Sequence, residues 1–309
     1  MDLRPSKEEF LNFVREGRII PLAAEVDARV VTPLLALAAL RPLGYPVLLE
    51  SVRVNEHTGR YSFVTADPYL IFRSQGDTVD LNWTAAPKGK YGMRASLRRK
   101  PLQKLRELLG NYRTERIEGL PPFTGGAVGF FSYDFVRQIE KIPRRAVDDL
   151  GIPEACFLFV DLVVAFDHVE GKAWVLVNPG AREQEMGFRR PESDAWGRLY
   201  DEAAERLALL TAMLHAPPPP AEAPTLSASP MTANMDRERF EAMVRRCKEY
   251  IAAGDIYQAN LSQRFSAPTA GRDPLHLYDI LRGINPSPFA AYAEFGDMTL
   301  VSSSTCTLP

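Results

Sequence analysis

Apolar positions along the chain recur at helical spacing in some stretches and alternate or run together in others, which predicts helices set among short strands. Residues 6–14 carry Phe10, Leu11 and Val14 as a stripe behind a Ser6 cap, with Glu8 and Glu9 in the first turn. Thr32 and Pro33 are a cap and a first-turn proline, so a second helix is predicted through Leu40, closed by Gly44. Residues 46–51, 60–65, 69–74 and 78–83 are short, β-branched or aromatic and separated by turn signals, which reads as an antiparallel meander. Residues 101–109 form an amphipathic helix ended by Gly110 and Asn111. The glycine-rich run 125–133 is a strand whose glycines mark close packing on one face.

Residues 156–167 read as one nearly continuous apolar strand, and 172–178 as its hairpin partner. The stretch 193–214 is a long helix with Trp196, Leu199, Ala203, Leu207 and Leu210 on one stripe. A run of prolines then breaks the pattern, so the domain boundary is drawn at a 216–230 linker, with domains at 1–215 and 231–309. Beyond it, Asp236 caps a helix expected to turn Phe240, Met243, Val244, Cys247 and Ile251 inward. Residues 254–265 then read as a strand on which Gln258 and Asn260 share a face with fixed spacing. A helix at 274–283 and strands at 289–295 and 298–302 complete the prediction. The sum is a mixed α+β chain of antiparallel β-sheets with flanking helices, without regular βαβ alternation.

Composition narrows the class. A chain of 309 residues with 46% hydrophobic content buries a sizeable core. Lys plus Arg number 37 against 39 acidic residues, a formal charge of -2 with no long basic field, so no nucleic-acid partner is expected. Three cysteines, Cys156, Cys247 and Cys306, are far apart and odd in number, which fits a reducing compartment rather than a disulfide framework. With no apolar leader and no tract long enough to span a bilayer, a cytoplasmic protein is expected, with no membrane partner.

Candidate chemistry gathers at two short motifs. In L-L-E-S at 48–51, Glu50 and Ser51 emerge where a strand runs into a loop, and a carboxylate beside a hydroxyl can receive an ammonium group. In N-P-S-P-F at 285–289, Pro286 and Pro288 stiffen the backbone around Ser287, with Phe289 as an apolar wall. Together these are parts of an amino-acid pocket; on residue type alone, Glu50 reads first as a surface charge at a strand end. His57, His168, His215 and His276 are scattered and form no metal-ligand or triad spacing. Asp148, Asp149, Asp161 and Asp167 read as turn and strand-edge charges. Neither phosphate-loop glycine pattern is present, so no metal or catalytic set is assigned from spacing.

The segment G-D-I-Y-Q-A-N-L-S-Q-R-F at 254–265 resembles the opening of the chorismate-binding domain in component I of the anthranilate synthase and aminodeoxychorismate synthase family. N-P-S-P-F and L-L-E-S are similar to further family motifs, with G-R-Y-S-F at 59–63 and G-G-A-V-G-F at 125–130 in family order between them. The resemblance implies the chorismate-utilising enzyme fold, incomplete at the carboxyl end, and a reaction that adds ammonia to chorismate. It implies Mg2+ bound to the substrate carboxylate, and a glutamine amidotransferase subunit as the ammonia source. It also implies a tryptophan or amino-acid site at Glu50, Ser51, Pro286, Ser287 and Phe289, with Arg60 and Tyr61 close by. Asn260 within Q-A-N-L, together with the forms at 61–68 and 288–292, looks more like the folate branch, giving 4-amino-4-deoxychorismate. Anthranilate for tryptophan is the alternative, and a non-catalytic amino-acid-binding remnant a third reading. After residues 302–304 the family continues into a segment that holds its lysine motif, catalytic histidine and metal-binding glutamates. Here the chain reads S-S-S-T-C-T-L-P, so none of those roles falls on a residue of this chain. A truncation after Ser304 is expected, with an inactive chain and an exposed sheet edge.

Overall fold

The computed structural model describes residues 2–15, 20–52, 59–84, 92–110, 117–143, 147–182, 195–216, 230–269 and 271–304. His57, Cys306, Asn111, the start of the helix expected from Ser193 and most of the expected linker lie outside the described residues. By contacts the chain divides into Met1–Pro219 with Tyr278–Pro309, and Pro220–Leu277.

The first unit holds two antiparallel sheets. Eight strands form the larger: β1 (Leu3–Arg4), β2 (Leu22–Val26), β3 (Val47–Glu50), β4 (Tyr61–Thr65), β10 (Leu162–Asp167), β11 (Lys172–Val177), β14 (Phe289–Glu294) and β15 (Thr299–Ser304). Their order is β1-β2-β11-β10-β4-β3-β14-β15. The smaller runs β7-β6-β5-β9-β8, from β5 (Leu70–Gln75), β6 (Thr78–Trp83), β7 (Arg94–Arg98), β8 (Gly126–Phe131) and β9 (Ala155–Val160). Val47 and Ala293 of the larger sheet share one apolar cluster with Ile71, Val128 and Leu158 of the smaller, so side chains of both sheets fill a common core. Helix α1 (Lys7–Arg15) packs on α4 (Ala195–His215), which with α2 (Pro33–Leu40) lies against the other face of the larger sheet. Helix α3 (Pro101–Gly110) closes the smaller sheet with Leu105 and Leu108. Every residue of β10 is buried, because helices and core cover its two faces, which is why its sequence is a continuous apolar run rather than an alternation.

Two expectations change here. The run 156–167 is two strands: β9 belongs to the smaller sheet and β10 to the larger, and the chain crosses at Asp161. The expected meander likewise splits, β3 and β4 in one sheet and β5 and β6 in the other, crossing at residues 66–69. Apolar content does not register a sheet change; one polar residue at each crossing does. Asp161 is buried and accepts Arg182 Nε at 2.7 Å and Arg206 Nη1 at 2.8 Å, while Asp67 Oδ2 accepts Nη2 of the same two arginines at 2.7 and 3.0 Å. One ionic cluster thus ties both crossings together.

The glycine expectation holds at β8. A Cβ on Gly129 would stand 2.0 Å from the Cys156 carbonyl oxygen of β9, so no larger residue fits this ladder.

In the second unit, α5 (Arg237–Ala253) starts at Asp236, whose carboxylate accepts the Arg239 N–H at 2.8 Å, and ends at Gly254 with φ 80°. None of its residues is buried, so the stripe expected to turn inward is half-exposed or exposed. The strand expected over 254–265 is not formed. Pairing begins only where β13 (Phe265–Ser266) meets β12 (Thr232–Ala233), and among the described residues no strand lies alongside 256–263 to complete its ladder. The composition-based boundary assigned 231–309 to one domain, whereas β14 hydrogen-bonds to β3 of the first unit. Ladder pairing, not composition, decides where those strands go. β15 is the last strand of its sheet, half-exposed throughout.

Candidate functional site

β3 ends at Glu50, paired in register with Ala290 of β14. Alternation along β3 buries Leu48 and Glu50 and exposes Leu49. A buried carboxylate needs donors, and helix α6 (Pro274–Ile284) supplies them from two positions four residues apart, on one face. Tyr278 Oη donates to Glu50 Oε2 at 2.7 Å; Arg282 donates from Nε to Oε2 at 3.0 Å and from Nη2 to Oε1 at 2.7 Å. Burial, then the Glu50 charge, push the Tyr278 phenol well above its ordinary range, so it stays a donor. Its ring leans on Tyr292 of β14, centroids 5.8 Å apart.

After α6 the two prolines carry the chain back into β14. Ser287, fully buried, accepts the Phe289 N–H at 3.1 Å and donates to the Ser304 carbonyl. Its own carbonyl accepts the Val52 N–H at 3.0 Å, and Ser51 Oγ donates to the Pro288 carbonyl at 3.0 Å. Glu50, Ser51, Ser287 and Phe289 therefore meet where β3 ends and β14 begins, Phe289 half in solvent. Pro286 has no N–H to donate.

Arg60 and Tyr61 are engaged elsewhere. Arg60 forks onto Asp167, with Nε 2.9 Å and Nη2 2.6 Å from Oδ2, and its guanidinium lies 5.0 Å from the Tyr61 ring centroid. Tyr61 stacks on Phe63 at 5.9 Å. Burial opposes the Asp167 charge, but Arg60 and the N–H groups of Glu170 and Val169 outweigh it and hold the carboxyl below its usual range. Arg60 thus holds Asp167 at the end of β10, and Tyr61 packs on Phe63 beside it.

The sequence missed Tyr278 and Arg282 as partners of Glu50, and Ser62 and His168 behind Ser51. For the first pair a signal exists: an arginine four residues after a tyrosine on the apolar side of a helix needs a buried anion. Gln258 and Asn260 are exposed and bond to each other at 3.3 Å. A separate cleft of about 670 Å³ is lined by Arg73, Asp80, Asn82, Arg94 and the turn Phe295–Asp297, and contains none of the site residues expected from sequence. Among the described residues no group of three or more His, Cys, Asp or Glu side chains is placed to hold a metal ion. No described helix is long and apolar enough to cross a membrane.

The sequence model of the chorismate binding enzyme family matches residues 54–308. The chain belongs to that family. Anthranilate synthase component 1 of Geobacillus stearothermophilus is 35% identical over 306 residues, covering 96% of this chain and 57% of the relative. The protein of that name from Acetivibrio thermocellus is 30% identical over 307 residues, covering 97% and 58%, and that from Mycobacterium bovis 37% over 292, covering 92% and 53%. Among solved structures, anthranilate synthase component I of Streptococcus pneumoniae matches with a TM-score of 0.57 and 25% identity, over 82% of this chain and 52% of that one. The mixed fold of helices and antiparallel sheets is therefore that of the chorismate-utilising enzymes, and this chain spans little more than half the length of the relatives it matches.

Proposed function

We propose that the chain serves as part of component I of an anthranilate synthase, acting with a glutamine amidotransferase component that supplies ammonia for the conversion of chorismate to anthranilate. One observation carries this reading: relatives 30% to 37% identical along at least 92% of this chain share the name anthranilate synthase component 1. It favours the tryptophan-branch alternative over the folate-branch reading that the sequence motifs suggested. Two of the three segments on which the folate reading leaned lie largely in β4 and β14, where Val64, Thr65 and Tyr292 are buried in the sheet, so their residue types answer to packing before product; the third, around Asn260, is exposed.

The corner at Glu50, Ser51, Ser287 and Phe289 is read as an amino-acid site. Glu50 Oε1 receives one hydrogen bond, from Arg282, and keeps a lone pair for a ligand ammonium, while Phe289 offers an apolar wall. Magnesium belongs to this reading through the family. Among the described residues no group of three or more His, Cys, Asp or Glu side chains is placed to hold that ion.

The test is an anthranilate fluorescence assay with chorismate, ammonium and magnesium. The expected result is no product from the chain alone, and anthranilate once it is mixed with the portion of the Geobacillus relative that it does not cover. Formation of 4-amino-4-deoxychorismate by that mixture overturns the branch assignment. For the corner, calorimetry with L-tryptophan is expected to register binding that Glu50→Ala abolishes; heat unchanged in Glu50→Ala removes it.

A further inference from the structure

Buried Ser62 and half-buried His168 form a polar pair directly behind the Glu50–Ser51 corner, and neither helps to hold Glu50. Ser62, on β4, is fully buried; its Oγ accepts the Ser51 main-chain N–H at 3.1 Å and lies 2.7 Å from His168 Nε2. His168 opens the turn between β10 and β11, where its main-chain N–H donates to the Arg60 carbonyl at 2.9 Å. A hydroxyl has one proton to give. With the imidazole neutral and its proton on Nδ1, Ser62 gives its proton to Nε2 and keeps a lone pair for Ser51, so both contacts form together. With the imidazole protonated, Nε2 becomes a second donor aimed at the same oxygen. The Ser62 proton then has no acceptor within the pair, and a positive charge arrives beside Glu50.

We infer that His168 is a positioning residue for the Glu50–Ser51 corner, its protonation state setting both the hydrogen bond that holds the Ser51 backbone and the potential felt at Glu50. The consequence for a ligand rests on reading that corner as an amino-acid site; the hydrogen-bond exchange rests on geometry alone. Among the described residues, the charged groups that act on the imidazole are Glu50 from β3 and Asp167 from β10. Arg60, ahead of β4, is neutralised by Asp167, and Arg282 of α6 by Glu50. Burial lowers the affinity of His168 for a proton, and Glu50 and Asp167 pull the other way without reversing it, so the exchange falls below the ordinary histidine range. A ligand that offers an ammonium group to Glu50 binds more weakly once His168 is charged.

The test is nuclear magnetic resonance of the 309-residue chain with labelled histidine and serine, between about pH 5 and about pH 8. At the upper end His168 is expected as the tautomer with its proton on Nδ1. The Ser51 amide resonance is expected to move with the His168 titration, to be fixed at every pH in His168→Gln, and to be uncoupled in Ser62→Ala while His168 still titrates. A Ser51 amide that ignores the His168 titration, or that moves equally in His168→Gln, overturns the inference. Calorimetry with L-tryptophan over the same range gives the second arm: affinity falls in acid for the parent chain and is level in His168→Gln. If the parent binds no tryptophan at any pH, the ligand reading fails, and the Ser51 amide still decides the exchange.

Discussion

Replacing Asp161 by asparagine tests whether the ionic cluster at the two sheet crossings holds the fold together. The side chain is 3% exposed, and its partners Arg182 and Arg206 are 20% and 26% exposed. Asparagine keeps the shape and one acceptor oxygen but removes the charge that faces two guanidinium groups. Removing one member of a fully buried pair costs about 3–5 kcal/mol. Here the arginines touch solvent and keep Asp67, so we expect about 2–3 kcal/mol, which for a chain of this size lowers the melting temperature by roughly 3–5 °C. The assay is thermal denaturation followed by circular dichroism. Arg29→Ala serves as the control, because the ion pair it removes with Asp27 is exposed and screened by solvent. The effect carries a pH signature. Burial opposes the Asp161 charge, yet Arg206 and Arg182 together hold its carboxyl below the usual range. Its contribution is therefore present above the ordinary carboxylate value and is lost as pH falls through the depressed one, so parent and variant converge in acid. A variant that melts within about 1 °C of the parent at neutral pH would refute the role given to the cluster.

Other predictions follow from single contacts. Gly129→Ala forces a methyl into the Cys156 carbonyl and is expected to cost about 3 kcal/mol in urea denaturation, against no change for the same substitution at Gly110, where nothing lies within 4 Å. Tyr278→Phe leaves Glu50 one donor short and is expected to cost about 1–3 kcal/mol; a neutral result would mean that Arg282 alone satisfies the carboxylate. The Cys156 thiol, pushed up to about 11 by burial against the pull of Arg73, should resist alkylation by iodoacetamide in the native chain and react once it is unfolded, as mass spectrometry would register. His168, depressed in the folded chain, stabilises it above the ordinary histidine value, and that stability is lost as pH falls through the depressed one; His168→Gln should flatten this part of the stability profile.

Much of the local structure was legible in the chain because its causes are local. The Thr32 hydroxyl accepts the Leu35 N–H as a cap should, Asp236 does the same for α5, and β3, β4, β5 and β6 lie within a residue or two of the alternating runs that predict them. Glu50, Ser51, Ser287 and Phe289 were picked out by motif, and the fold brings these four to one corner. Sheet membership was not legible. A strand of β-branched residues fits any sheet that covers its faces, so nothing between Val160 and Leu162 except a lone aspartate announces that the chain leaves one sheet for the other. Nor were the partners of Glu50, which come from residues 228 and 232 positions away. The amide-bearing stretch at 256–263 shows the opposite failure: alternation made it look like a strand, but a strand exists only where a neighbour completes its hydrogen bonds. The sequence by itself determined the caps, the turns and which faces are apolar, since these depend on residues a few positions apart. Only the tertiary structure decided which strands pair, where the chain changes sheets and which cation meets which buried carboxylate, because those depend on groups that are distant in sequence and become neighbours only when the core closes.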